Sequence, residues 1–141
     1  GFQVTPLQAV RAIGAIANGG TLVTPHLVRE PVQKFSTEKI PIPEKYFSIV
    51  REGMRDAVTE GTVSGLGVDY VKVAGKTGTA EIDAGKKYIN SWVVGFFPYD
   101  KPRYAFVVVM ERGPYQNSIG GVYVMRQMLD WMWTNTPEYL E

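Results

Sequence analysis

A switch between two hydrophobic periods predicts an α+β domain, with an antiparallel β-sheet of three strands covered by helices. Apolar residues recur at helical spacing over 6–17, 44–58 and 122–132, whereas 71–81, 90–97 and 103–111 read as strands. These strands follow one another directly, divided by Asp83-Ala84-Gly85 and by Pro98-Tyr99-Asp100-Lys101-Pro102, so they pair as a meander. The flanking helices bury their apolar faces by covering that meander. A length of 141 residues with 45% hydrophobic content suits one domain with a core of its own.

Thr5-Pro6-Leu7-Gln8 starts the first helix, with Thr5 as N-cap, Pro6 at the first helical position and Gln8 completing a capping box. Ala9, Val10, Ile13, Ile16 and Ala17 form its apolar face, and Asn18-Gly19-Gly20 ends it. Residues 21–32 look extended but are broken by Pro25 and Pro31, and 36–43 reads as a polar connection. Pro43-Glu44 opens a second helix carrying Tyr46, Phe47, Val50, Met54 and Val58, closed by Gly61. After the meander, 113–121 reads as loop. Val122, Met125, Met128, Leu129 and Met132 mark a final amphipathic helix whose Met stripe is core packing. The apolar strand Tyr104 to Met110 would be hazardous as a bare edge, so a further strand supplied by upstream chain is expected beside it.

Composition narrows the function. A net charge of +1 with Lys86-Lys87 as the only adjacent basic pair argues against nucleic acid as a partner. The longest apolar runs, 92–97 and 105–110, are far too short to span a membrane, and nothing reads as a signal peptide. No Cys and a single His, His26, leave no thiolate nucleophile, no structural zinc site and no Ser-His-Asp triad. Neither metal nor cofactor is implied.

The informative stretch is Gly75-Lys76-Thr77-Gly78-Thr79, entered through the strand formers Tyr70-Val71-Lys72-Val73-Ala74. A phosphate-cradling loop would need Gly at position 70, which is Tyr, and a helix after the Lys-Thr pair, where the pattern is β-type. On extended backbone these residues suit an anionic, peptide-like ligand. Lys76 supplies positive charge, Thr77 and Thr79 supply hydroxyl donors, and Gly75 and Gly78 let another backbone approach. Trp92, Trp131 and Trp133 are read as core or interface residues, Glu81 and Asp83 as solvated carboxylates, and 115–121 as a cleft rim.

The chain resembles the C-terminal part of the transpeptidase domain of class B penicillin-binding proteins. The resemblance runs nearly end to end, through Thr5-Pro6-Leu7-Gln8, Ala17-Asn18-Gly19-Gly20, Ala74-Gly75-Lys76-Thr77-Gly78-Thr79-Ala80-Glu81, Trp92 to Pro98, Lys101-Pro102-Arg103 and Val107 to Glu111. Gly20 to Leu27 and the short 82–89 loop favour the elongation type, with the division type left open. The resemblance implies the penicillin-binding/β-lactamase-like fold. It also implies cross-linking of peptidoglycan stem peptides through a serine acyl-enzyme that β-lactams intercept. Lys76 would be the motif cation, Thr77 and Thr79 carboxylate ligands beside Gly78, and the Thr79 N–H an oxyanion donor. The parent would be anchored by an N-terminal helix on the extracytoplasmic face of the membrane and would work beside a cell-wall glycosyltransferase.

The sequence departs from that pattern in one respect. It has no Ser-x-Asn, and its only Ser-x-x-Lys is Ser36-Thr37-Glu38-Lys39, which lies in a loop between the Thr-Pro-Leu-Gln helix and the Lys-Thr-Gly strand. Residues 1–141 are therefore expected to be the C-terminal portion of one transpeptidase domain, inactive alone, with the nucleophile upstream. The alternatives are a serine β-lactamase-like hydrolase and a non-catalytic peptidoglycan-binding or interaction module.

Overall fold

The computed structural model describes residues 3–28, 36–82, 85, 87–116 and 120–141. Helix α1 spans Pro6–Ala17 and begins as its sequence requires. Gln8 N–H donates to the Thr5 Oγ1 at 3.2 Å, and Thr5 N–H donates to the Gln8 Oε1 at 2.8 Å. Together they satisfy two backbone donors that a helix start otherwise leaves open. At the far end Gly19 and Gly20 both take positive φ, and the Phe47 ring lies where a Cβ on Gly20 would sit. Only glycine suits that turn, because it supplies both the backbone conformation and the space.

Helix α1 is followed by β1 (Thr21–Val23) and β2 (Thr37–Lys39), which pair antiparallel as a small ribbon. The segment read as a polar connection thus contains a strand. Three residues of Thr, Glu and Lys carry no apolar alternation to announce it, and its register comes from the partner strand. Helix α2 spans Glu44–Thr59 and a 3₁₀ turn covers Ser64–Leu66. The meander then runs as β3 (Ala74–Glu81), β4 (Tyr88–Phe97) and β5 (Tyr104–Pro114), in that spatial order. Helix α3 (Gly121–Asn135) and a 3₁₀ turn at Pro137–Tyr139 complete the described chain. No helix among the described residues is long and apolar enough to cross a membrane.

Successive strand residues point to opposite faces of the sheet, and each face has its own core. On one face Ala74 and Phe96 pack with Ile13 and Ala17 of α1 and Met54 of α2. On the other, Val93 and Phe97 pack with Met125, Leu129 and Met132 of α3 and Val58 and Val63. Helix α2 lies alongside β3 and contributes to both.

Three expectations are corrected by burial. Tyr46 and Val50 of α2 are exposed, and of the Met stripe only Met125 and Met132 are buried, with Met128 half in solvent. Trp131 and Trp133 are likewise exposed, although Trp133 stacks on Tyr70 with ring centroids 5.0 Å apart. A helix face wider than the surface it packs against leaves its flanks in water. Finally, β5 extends through Gly113 and Pro114, which the sequence reading assigned to loop. Among the described residues no strand pairs with the outer edge of β5.

Candidate functional site

The lead-in to β3 is anchored before the motif begins. Val71 and Val73 are buried, the Val73 carbonyl accepts from Arg55 Nη1 at 2.8 Å, and Ala74 is fully enclosed. Gly75 is also buried, because Val63 occupies the space beside it. A Cβ there would stand 3.2 Å from the Val63 Cγ1 and 3.2 Å from the Val94 carbonyl oxygen. From Lys76 onward the strand emerges, and Lys76, Gly78, Thr79 and Ala80 are all exposed. Among the described residues β3 pairs only with β4, from Ala74 opposite Phe96 to Glu81 opposite Ile89, so its outer edge is open.

The motif side chains divide between the two faces. Thr77 and Thr79 share the α3 face with their cross-strand partners Val93 and Ser91, while Lys76 and its partner Val94 belong to the α1 face. The Lys76 Nζ donates to the Thr77 carbonyl at 2.8 Å, and among the described residues it makes no ion pair. The Thr77 hydroxyl shares a 2.8 Å hydrogen bond with that of Thr62. Thr79 opens onto a cleft of about 920 Å³, which is also lined by Thr62, Glu81, Ser91, Glu111, Tyr115, Tyr123 and Arg126. Lys76 and Thr77 lie outside this lining, so the ammonium borders the strand edge and not the cleft.

The cleft owes its shape to two irregularities. Ile89 opposes Gly113 and Ser91 opposes Met110, so Asn90 faces two residues, Glu111 and Arg112, in a β-bulge. Arg112 takes φ 54, and its N–H donates to the Asn90 Oδ1 at 3.0 Å. At the start of α3, Gly121 N–H donates to the Ser91 hydroxyl at 3.1 Å, a cap supplied from β4.

Behind the cleft, Tyr70 ties the approach to β3 onto α3. Its hydroxyl donates to Asp130 at 2.6 Å, and Arg126 donates to both Asp130 oxygens and to the Gly65 carbonyl. Burial pushes the Tyr70 phenol up to about 12, and the Asp130 carboxylate adds to the rise. The hydrogen bonds from Tyr70 and then Arg126 hold the Asp130 carboxyl below its ordinary range.

The Ser36 and Lys39 pair has a different environment. The Ser36 hydroxyl bonds that of Thr24 at 2.9 Å, and the Lys39 Nζ donates to the Gly19 carbonyl at 2.6 Å. Three residues apart on extended backbone, they lie about 10 Å apart and point to opposite faces. Glu81 is exposed at the end of β3, while Asp83 and residues 117–119 of the expected rim lie outside the described residues. The sequence reading missed Thr62, Ser91 and the Tyr70, Asp130 and Arg126 cluster. The only signal for Thr62 was its place after the helix-closing Gly61.

The sequence matches the Penicillin binding protein transpeptidase domain family over residues 1–129. The chain belongs to this family. The stage V sporulation protein D of Bacillus subtilis is 36% identical over 135 residues, covering 86% of this chain and 21% of that protein. The peptidoglycan D,D-transpeptidase MrdA of Acinetobacter baumannii is 32% identical over 139 residues, covering 83% and 21%. The transpeptidase-family chain therefore spans about a fifth of the length of these curated relatives. Among solved structures, the D,D-transpeptidase domain of a peptidoglycan glycosyltransferase from Eggerthella lenta superposes with a TM-score of 0.79 at 26% identity. That match covers 96% of this chain and 34% of the other. PBPA from Mycobacterium tuberculosis shares the fold, with a TM-score of 0.74 at 24% identity over 90% of this chain and 34% of the other.

Proposed function

We propose that residues 1–141 are the C-terminal portion of one transpeptidase domain and form the substrate- and β-lactam-binding wall of a peptidoglycan D,D-transpeptidase. The observation that carries this reading is the open outer edge of β3, where an ammonium without an ion pair among the described residues, a half-buried Thr77 hydroxyl and an exposed Thr79 lie on a strand anchored at its base. A stem peptide laid along that edge would extend the sheet, held by backbone hydrogen bonds with Gly78 allowing close approach. Because Lys76 and the threonines leave opposite faces, such a strand would be flanked by the cation on one side and hydroxyls on the other. Thr77 and Thr79 would bind the terminal carboxylate, and Lys76 would attract it and serve proton transfer at a serine of the second motif.

The nucleophile in this reading is the serine of a Ser-x-x-Lys segment outside these 141 residues. Its oxygen attacks the penultimate D-Ala carbonyl, the Thr79 N–H and the nucleophile's own N–H stabilise the oxyanion, and D-Ala leaves with the proton. An amine of a neighbouring stem then takes the acyl group and regenerates the serine. A β-lactam mimics the donor and leaves the serine acylated. The extracytoplasmic location, the N-terminal anchor and a glycosyltransferase partner belong to this same reading of the whole protein.

A fluorescent penicillin tests it. The full-length protein carrying this stretch should be labelled, and the isolated 141 residues should not. Stable labelling of the isolated chain at Ser36 would overturn the assignment.

A further inference from the structure

Gly61-Thr62-Val63, the turn after α2, packs onto β3. Val63 is fully buried against Gly75, and Gly61 has no room for a side chain, because a Cβ there would stand 2.8 Å from the Ala57 Cα. Val63 N–H donates to the Ala57 carbonyl at 2.9 Å, and Ser64 N–H donates to that of Gly61 at 3.1 Å. Thr62 is thus held between two anchored neighbours. Its hydroxyl lies 2.8 Å from that of Thr77, two strand positions beyond Gly75 on the same face, and it shares the cleft wall with Thr79. A hydroxyl has one proton to donate and two lone pairs with which to accept. If Thr77 gives its proton to a ligand, the short contact to Thr62 persists only when Thr62 is the donor. Receiving that bond makes Thr77 the stronger donor in turn.

We propose that Thr62 is a positioning residue for carboxylate recognition: its hydroxyl donates to Thr77 and thereby directs the Thr77 proton towards the ligand carboxylate. The inference rests on the transpeptidase reading and adds to it a residue outside the Lys-Thr-Gly strand. A bond that merely fastens the turn to β3 would matter equally for every ligand, whereas a bond acting through the carboxylate matters only when a carboxylate is present.

The test compares acylation of the full-length protein by benzylpenicillin and by its methyl ester, in which the carboxylate is masked. Thr62→Val keeps the branched shape and removes the proton. It should slow benzylpenicillin acylation about tenfold, in line with the loss of one hydrogen bond, and leave the ester rate unchanged, while Thr62→Ser restores the rate. Equal slowing of both compounds, or a wild-type rate with benzylpenicillin, would overturn the proposal. Thr77→Val separates this outcome from failure of the underlying reading. If Thr77→Val leaves benzylpenicillin acylation unchanged, the carboxylate role of Thr77 itself is wrong. If Thr77→Val is slow and Thr62→Val is not, only the role of Thr62 is lost.

Discussion

Ser36 with Lys39 beside the ribbon and Lys76 with Thr79 on β3 each set a hydroxyl and an ammonium three residues apart on extended backbone. The ribbon pair is occupied internally, the serine by Thr24 and the lysine by the Gly19 carbonyl at the end of α1. On β3 the lysine meets, among the described residues, the carbonyl of its neighbour, and Thr79 faces an open cleft. Similar atoms at equal spacing therefore do different work. A bond to a distant part of the chain, such as that from Lys39 to the end of α1, ties the fold together, whereas a bond to the adjacent residue, as at Lys76, ties nothing down and leaves the group at an open strand edge.

The largest expected difference is between the two lysines. In the full-length protein Lys76→Ala should slow acylation by a penicillin at least about a hundredfold, the scale of losing a proton-transfer or oxyanion contact. Lys39→Ala should leave that rate within about twofold and instead lower stability by about 1 kcal/mol, one hydrogen bond's worth. Stopped-flow acylation and thermal melting read the two effects, and similar rates for the two variants would erase the contrast.

A smaller effect separates the hydroxyls. Thr79→Val should slow acylation about tenfold by removing one donor to the carboxylate, while Ser36→Ala changes stability by less than about 1 kcal/mol and acylation not at all. Slow acylation in the Ser36 variant would make the ribbon part of the site.

The smallest effect tests the support behind β3. The raised Tyr70 pKa means that its contribution to stability is complete below the ordinary phenol value of 10.0 and is lost as pH rises towards about 12. The lowered Asp130 pKa means that its share is present above 3.8 and is lost as pH falls through the folded value below that. The stability difference between wild type and Tyr70→Phe should therefore be level across neutral pH and shrink at both ends. A difference that grows between pH 10.0 and about 12 would contradict the hydrogen-bonded geometry.

Much of this was legible before any coordinates. The cap at Thr5 and Gln8, the closing glycines of α1, the three-strand meander and the extended backbone under Lys76 and Thr79 follow from spacing within a few residues. The β1 and β2 ribbon was not legible, because three polar residues adopt strand geometry only when a partner supplies the register. Nor was the exposure of Tyr46, Val50 and Met128, since periodicity marks an apolar face without giving the width of the surface that meets it.

Local order along the chain thus decided which segments are helix and strand, because caps, turns and periods act over one or two turns of backbone. Packing decided how those residues are used. It set Thr62 against Thr77 across fifteen positions and bonded Ser36 to Thr24 and Lys39 to Gly19. Such contacts depend on where Val63, Gly75 and the α3 face come to rest in three dimensions, and no short window of sequence contains both partners.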